Sequence, residues 1–191
     1  TPRRSSAASD VYKRQIPMVK ETLSELSDHQ ATQLILKTDL KKILIICTGN
    51  SCRSIMLEAL INQYGNDYFK AYSAGSMPNG DVHPMSIMTI KNNGINPDIY
   101  QSKSWNVFDN QIFDLVITVC DNAAGESCPV YLNKTPKIHW GVPDPTKFKG
   151  SDIEIKEYFQ KTFINLEKKT KAFIEDFKNK NFVDLSVLKD F

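Results

Sequence analysis

Apolar positions along this chain follow two rhythms, one of short unbroken runs and one of helical spacing. The first run is Ile43-Leu44-Ile45-Ile46, which starts just after Lys41 and is closed by a Gly/Asn/Ser loop. An uninterrupted run of that length predicts a strand buried on both faces of a parallel sheet. Past the loop, Leu57, Leu60, Ile61 and Tyr64 recur at helical spacing and Gly65 ends the pattern. Phe69 to Ala74, closed by Gly75, reads as a second strand. Pro84 opens a helix and Gly94 closes it. Asp114 to Val119 reads as a third buried strand and Lys137 to Trp140 as a short fourth. Ser151 and Glu154 have the spacing of a capping box. Behind them Ile155, Phe159, Phe163, Leu166, Phe173 and Phe177 line one face of a long final helix, an aromatic stripe that suits a core.

Strands alternating with helices predict an α/β fold, a three-layer sandwich on a four-stranded parallel sheet with right-handed crossovers. Active sites of such sheets lie beyond the carboxyl ends of the strands. Cys47 and Cys120 both fall at such ends. The domain is expected to span 41–191, preceded by an extension over 1–40. Within that extension, Thr1 to Gln15 is rich in Ser, Ala and Arg and is not expected to fold as native sequence, with Met18 a candidate start. Residues 16–40 carry a pattern for one short helix, with Leu23, Leu26, Leu34, Ile35 and Leu36.

Composition changes this picture little. The 191 residues are 41% hydrophobic and 24% charged, an ordinary globular balance. A net charge of +2 is too mild to predict a nucleic-acid partner. No apolar run reaches membrane-spanning length and no export leader is read. A monomeric cytoplasmic protein is therefore expected. In that compartment the four cysteines, Cys47, Cys52, Cys120 and Cys128, point to catalysis, redox chemistry or metal binding before a structural disulfide framework.

The candidate chemistry starts between the first strand and the first helix, at Cys47-Thr48-Gly49-Asn50-Ser51-Cys52-Arg53-Ser54. A strand-loop-helix of this kind aims backbone N–H groups at one centre, and the helix dipole adds positive potential. Residues 48–54 are thus expected to cradle a tetrahedral oxyanion. Gly49 and Asn50 tolerate left-handed backbone. The planar fork of Arg53 can clamp two oxygens. The same N–H groups are expected to stabilise a Cys47 thiolate and lower its pKa, with Ser54 donating a further bond to that sulfur. The Cys52 side chain is expected to turn away and act structurally. Taken as bare spacing, Cys plus five residues plus Arg also fits a buried cysteine that happens to precede an arginine.

Ile46 to Glu58, ICTGNSCRSIMLE, resembles the phosphate loop of the low-molecular-weight protein tyrosine phosphatases and of the arsenate reductases that share their fold. Tyr72-Ser73-Ala74-Gly75 is similar to the family's second strand and its exit, and His139-Trp140-Gly141-Val142-Pro143-Asp144-Pro145 to the loop that carries its general acid. The resemblance implies Cys47 as nucleophile and Asp144 as proton donor to the leaving oxygen. A carboxylic acid beside a bound anion is suited to that role. Read without the resemblance, Asp144-Pro145 is a simple turn. Some family members hold potassium through Asn, Glu, Ser and Asp. Asn50, Glu58 and Ser73 match three of these, but the acid is replaced near Trp105, so no metal is expected.

The stretch Val119-Cys120-Asp121-Asn122-Ala123-Ala124-Gly125-Glu126-Ser127-Cys128-Pro129 resembles the redox loop of the arsenate reductases. A phosphatase needs one reactive cysteine, whereas a reductase must supply two electrons. The resemblance implies a Cys47/Cys120/Cys128 disulfide relay that reduces arsenate to arsenite, with no bound cofactor. An external thiol reductant, thioredoxin or glutaredoxin with glutathione, would close the cycle; the spacing between Cys120 and Cys128 is one residue longer than in the best-known thioredoxin-coupled enzymes. Read alone, Cys120 and Cys128 also fit buried small hydrophobes or half of a metal site. His83 and His139 are expected to be structural. Two rival functions stay open from the sequence: a tyrosine phosphatase, and a non-catalytic oxyanion-binding module.

Overall fold

The computed structural model describes residues 40–120, 129 and 132–179. The short helix read within 16–40, Cys128 and most of the loop before it lie outside the described residues, and all described residues but Leu40 belong to the unit 41–191.

Strand β1 (Lys41–Cys47) is the centre of the sheet because Ile43 to Ile46 have no exposed surface on either face. It pairs in parallel with β2 (Phe69–Gly75) on one side and β3 (Leu115–Thr118) on the other. β4 (Lys137–His139) adds to β3, so the order is β2-β1-β3-β4, all parallel. β3 is one residue shorter at each end than the sequence pattern predicts, and β4 ends one residue earlier. Asp114 instead brackets Lys42: its N–H donates to the Lys42 carbonyl at 2.8 Å, and its carboxylate accepts from the Lys42 N–H at 2.7 Å.

Helix α1 (Arg53–Tyr64) is buried on every side from Arg53 to Ile61, polar residues included. Tyr64, read as part of its apolar face, is instead half exposed at the helix end, where its hydroxyl donates to Glu167 at 2.7 Å. Helix α2 (Pro84–Asn92) is started by His83, whose Nδ1 accepts from the Met85 N–H, and its ring stacks on Phe159. It stops as predicted. Gly94 at φ +80° lets Ile95 N–H reach the Ile90 carbonyl and Gly94 N–H the Lys91 carbonyl, a Schellman closure. Helix α3 (Asp152–Asn179) begins with the predicted capping box, in which Ser151 N–H donates to Glu154 at 2.8 Å.

The α3 stripe is core, as its spacing predicts. Phe173 and Phe177 meet Phe69 of β2 at ring-centroid distances of 5.1 and 4.7 Å, and Phe173 meets Trp140 edge-on at 5.6 Å. Residues alternate faces along a strand, so Tyr72 stands on the opposite face from Phe69. There it packs edge-on against Phe108 and Phe113. No helix among the described residues is long and apolar enough to cross a membrane. The parallel order brings the carboxyl ends of β1 and β3 side by side, and the candidate site lies above them.

Candidate active site

The loop after β1 is held from outside by the segment after β2. The carbonyls of Thr48, Gly49 and Ser51 accept from the N–H groups of Met77 (3.0 Å), Asn79 (2.9 Å) and His83 (2.8 Å). These three bonds fix the loop against the segment after β2. The left-handed turn falls on Asn50, at φ +41°, rather than on Gly49. A Cβ on Gly49 would meet the Asn79 side chain at 2.9 Å, and Asn79 Nδ2 donates to Ser51 Oγ at 3.0 Å. Gly49 is therefore small to admit Asn79.

Asn50 is fully buried and all its side-chain groups are engaged. Nδ2 donates to Ser54 Oγ at 3.0 Å and to Ser73 Oγ at 2.8 Å, and Oδ1 accepts from the Lys103 N–H at 2.7 Å. Ser73 Oγ in turn donates to Glu58 at 2.5 Å, and the Lys103 ammonium stands 3.7 Å from the same carboxylate oxygen. Burial raises the Glu58 pKa from its ordinary value, with Lys103 and then Ser73 opposing that rise. Burial, then the nearby Glu58 charge, push Tyr100 up to about 12. Asn50, Ser73 and Glu58 are thus joined in one hydrogen-bonded chain, with the Lys103 ammonium beside its Glu58 end. Neither Lys103 nor Asn79 has a local sequence signature; each acts across the fold.

Cys47 lies at the base of the cleft, and Thr48, Cys52, Arg53, Cys120 and Asp144 share its lining. The sulfurs of Cys47 and Cys120 are in hydrogen-bond contact, and Thr48 Oγ1 lies 3.6 Å from the Cys120 sulfur. The expectation of a lowered Cys47 pKa is corrected. The hydrogen bond with Cys120 pushes the thiol up, followed by burial and by charge on Cys120; the Arg53 guanidinium and the Gly49 N–H oppose this. Two sulfurs this close disfavour a second negative charge. Cys52 is buried and its thiol is pushed up to about 12 by that burial, against a lowering by the Ser86 hydroxyl.

Arg53, at the first turn of α1, is 9% exposed. Nη1 donates to the Val142 carbonyl and Nη2 to Asp144 Oδ2, both at 2.8 Å, while Nε is buried without a protein acceptor among the described residues. Asp144 is also the turn residue that its sequence suggests. Its Oδ1 accepts from Thr146 N–H at 3.1 Å and from Thr146 Oγ1 at 2.7 Å, capping a short 3-10 turn at Pro145–Lys147. His139 is a sheet neighbour, its Nδ1 2.8 Å from Thr118 Oγ1. Four predicted residues, Cys47, Arg53, Cys120 and Asp144, thus line one cleft, while Ser54 is buried beneath it and accepts from Asn50 instead of being seen to bond the Cys47 sulfur. Among the described residues no group of three or more His, Cys, Asp or Glu is placed to hold a metal ion.

Known proteins with this pattern are recognisable over most of the chain. Residues 42–183 match the family described as low molecular weight phosphotyrosine protein phosphatase. An arsenate reductase of Bacillus subtilis is 37% identical over 138 residues, 71% of this chain and 96% of that protein. Arsenate reductase 2 of Staphylococcus saprophyticus is 36% identical over 141 residues, 72% of this chain and 99% of its own length. A solved arsenate reductase in its phosphate-binding state superposes with a TM-score of 0.59 at 25% identity, over 72% of this chain and 98% of that one. With the family match covering well over half its length, this chain belongs to the low molecular weight phosphotyrosine protein phosphatase family.

Proposed function

We propose that this chain is an arsenate reductase that passes two electrons to arsenate through Cys47, Cys120 and Cys128. The observation that carries the reading is that Cys120 shares the cleft of Cys47 and hydrogen-bonds its thiol. Phosphoester hydrolysis needs no second thiol there. The likeness to curated arsenate reductases over 71% of the chain supports the same reading.

Residues 48–54 hold the oxyanion by their N–H groups. Arg53 uses the unpartnered Nε and exchanges its bond to Asp144 for one to the anion, which frees Asp144 as general acid. The Cys47 thiolate, left negative when the Cys120 sulfur retains the shared proton, attacks arsenic. Ser54 donates to the Cys47 sulfur, and Asp144 protonates the departing oxygen, which leaves as water. Cys120 attacks the Cys47 sulfur as its proton passes to an oxygen of the departing arsenite. The S–As bond breaks with its electron pair remaining on arsenic, so As(V) becomes As(III) and leaves as arsenite, with a Cys47–Cys120 disulfide formed. Cys128 attacks Cys120, releasing the Cys47 thiolate, and an external dithiol, thioredoxin or glutaredoxin with glutathione, reduces the Cys120–Cys128 disulfide. Each exchange requires an attacking thiolate and close approach of the sulfurs. No bound cofactor takes part. The catalytic domain is 41–191, acting as a cytoplasmic monomer with 1–40 as an extension.

The test is NADPH consumption on adding arsenate, with thioredoxin and thioredoxin reductase or with glutaredoxin, glutathione and glutathione reductase. Arsenate-dependent consumption that disappears in Cys120→Ser, while that variant retains any aryl-phosphate hydrolysis of the parent, is expected. Hydrolysis without consumption in either mixture would make the protein a phosphatase. Oxyanion binding with neither activity would leave a binding module.

A further inference from the structure

Lys103 is tied to the oxyanion loop, to the end of β2 and to α1, and the reaction above uses none of these contacts. Its N–H donates to Asn50 Oδ1 at 2.7 Å, its carbonyl accepts from the Gly75 N–H at 2.9 Å, and its ammonium lies 3.7 Å from Glu58. The ammonium also donates to the Gln101 carbonyl at 3.2 Å. Glu58 lies inside α1 with a 9% exposed side chain, whereas the Lys103 side chain is 25% exposed. A carboxylate so placed needs a counter-charge, because burying an unpaired ion is among the most costly events in a fold. Among the described residues, Lys103 is the cation within ion-pair distance of it.

From Glu58 the connection to the loop is a chain of hydrogen bonds. Ser73 spends its proton on the carboxylate, so its oxygen must accept, and it accepts from Asn50 Nδ2. Were Glu58 to take up a proton, that hydroxyl could reverse and compete with Asn50 for the same bond. Asn50 holds the one positive-φ position outside glycine among the described residues, the turn on which the N–H cradle depends. We propose that Lys103 is a positioning residue for oxyanion capture: its ammonium is the built-in counter-ion of Glu58, and the Glu58–Ser73–Asn50 chain passes that charge to the left-handed turn of the loop. The inference deepens the reductase reading and rests on its oxyanion loop, while its readout is binding rather than turnover.

The ammonium can be tested apart from the backbone, since any residue but proline keeps the N–H bond to Asn50. Binding of inorganic phosphate to the reduced full chain is measured by calorimetry, with arsenate reduction in parallel. Lys103→Met is expected to weaken phosphate binding about tenfold, within the range of coupled sites, and Lys103→Arg to stay within about twofold of the parent. Propylammonium replaces the atoms removed in Lys103→Ala and should restore binding there, while tetramethylammonium, which has no N–H to donate, should not. Glu58→Gln combined with Lys103→Met removes the charge that needs a partner, so the double variant should bind better than Lys103→Met alone. Unaltered binding in Lys103→Met would overturn the proposal. So would a loss that neither propylammonium nor the second substitution relieves, since Lys103 would then contribute packing only. A parent that binds phosphate but reduces no arsenate would sink the reductase reading and leave the role of Lys103 to be judged on the binding data.

Discussion

Arg53 has two partners to choose between, and its geometry says what the choice costs. Its two terminal nitrogens are bonded to Val142 and Asp144, and only a planar fork can meet both while keeping Nε, buried and without a protein acceptor among the described residues, as a further donor. A lysine at this point offers one rotating point charge in place of that fork. Arg53→Lys is therefore expected to lower kcat/KM for arsenate on the order of 100-fold, the usual cost of losing an oxyanion donor, with the urea midpoint nearly unchanged. A steady-state assay beside an unfolding curve checks both halves. An equal loss of stability would mean that the Asp144 pair serves the fold more than the reaction. The sulfur pair teaches a related lesson. Cys47 was legible as the residue that ends a buried strand and opens the loop. Its proton affinity was not, because the group that raises it, Cys120, is 73 residues further on and meets it only in the folded sheet.

At the scale of elements, what was legible was what is local. The apolar run of β1, the His83-Pro84 start and Gly94 stop of α2, and the Ser151/Glu154 box of α3 each depend on residues within a few positions, and each formed where its pattern lies. The ends of β3 and β4 were less legible, because strand ends are set by partners such as Lys42 opposite Asp114. Gly75, read only as a strand terminator, does more. A Cβ there would overlap the Thr48 carbonyl and come within 3.1 Å of the Asn50 backbone nitrogen. Both neighbours are fixed, Thr48 by Met77 and Asn50 by Ser73 and Lys103, and Gly75 itself is held by the Lys103 carbonyl, so no flexible side-chain end can give way. Gly75→Ala is accordingly expected to cost about 1–3 kcal/mol of stability, as overpacking commonly does, and to weaken phosphate binding more than an equally destabilising change in α3. Urea unfolding paired with calorimetry separates the two, and a variant that binds phosphate normally would show that the loop accommodates the added methyl.

Across the whole molecule, the site is built where the sheet is most deeply covered, and that has a consequence for stability against pH. α1 carries Arg53 and Glu58 into a core whose other residues are nearly all apolar. The Glu58 carboxyl therefore holds its proton more tightly folded than unfolded, burial being the leading cause and Lys103 the main opposing one. With the folded pKa above the unfolded value, the native state binds more protons over the interval between them. Glu58 then favours folding most fully below the ordinary carboxylate range, and that advantage is lost as pH rises through the raised value. The Tyr100 hydroxyl, pushed up to about 12 by burial and the Glu58 charge, lies far above this window. Glu58→Gln has no charge to bury, yet its amide oxygen can still accept from Ser73. The stability of the parent relative to Glu58→Gln should consequently fall as pH is raised from about 4 toward neutrality, then level off. Urea midpoints at four or five pH values check this, because contributions from the remaining carboxylates cancel in the difference. A difference that stays flat would place the Glu58 pKa at its unfolded value. A difference that rises with pH would mean that Lys103 and Ser73 together outweigh burial and hold the carboxylate ionised more strongly than water does.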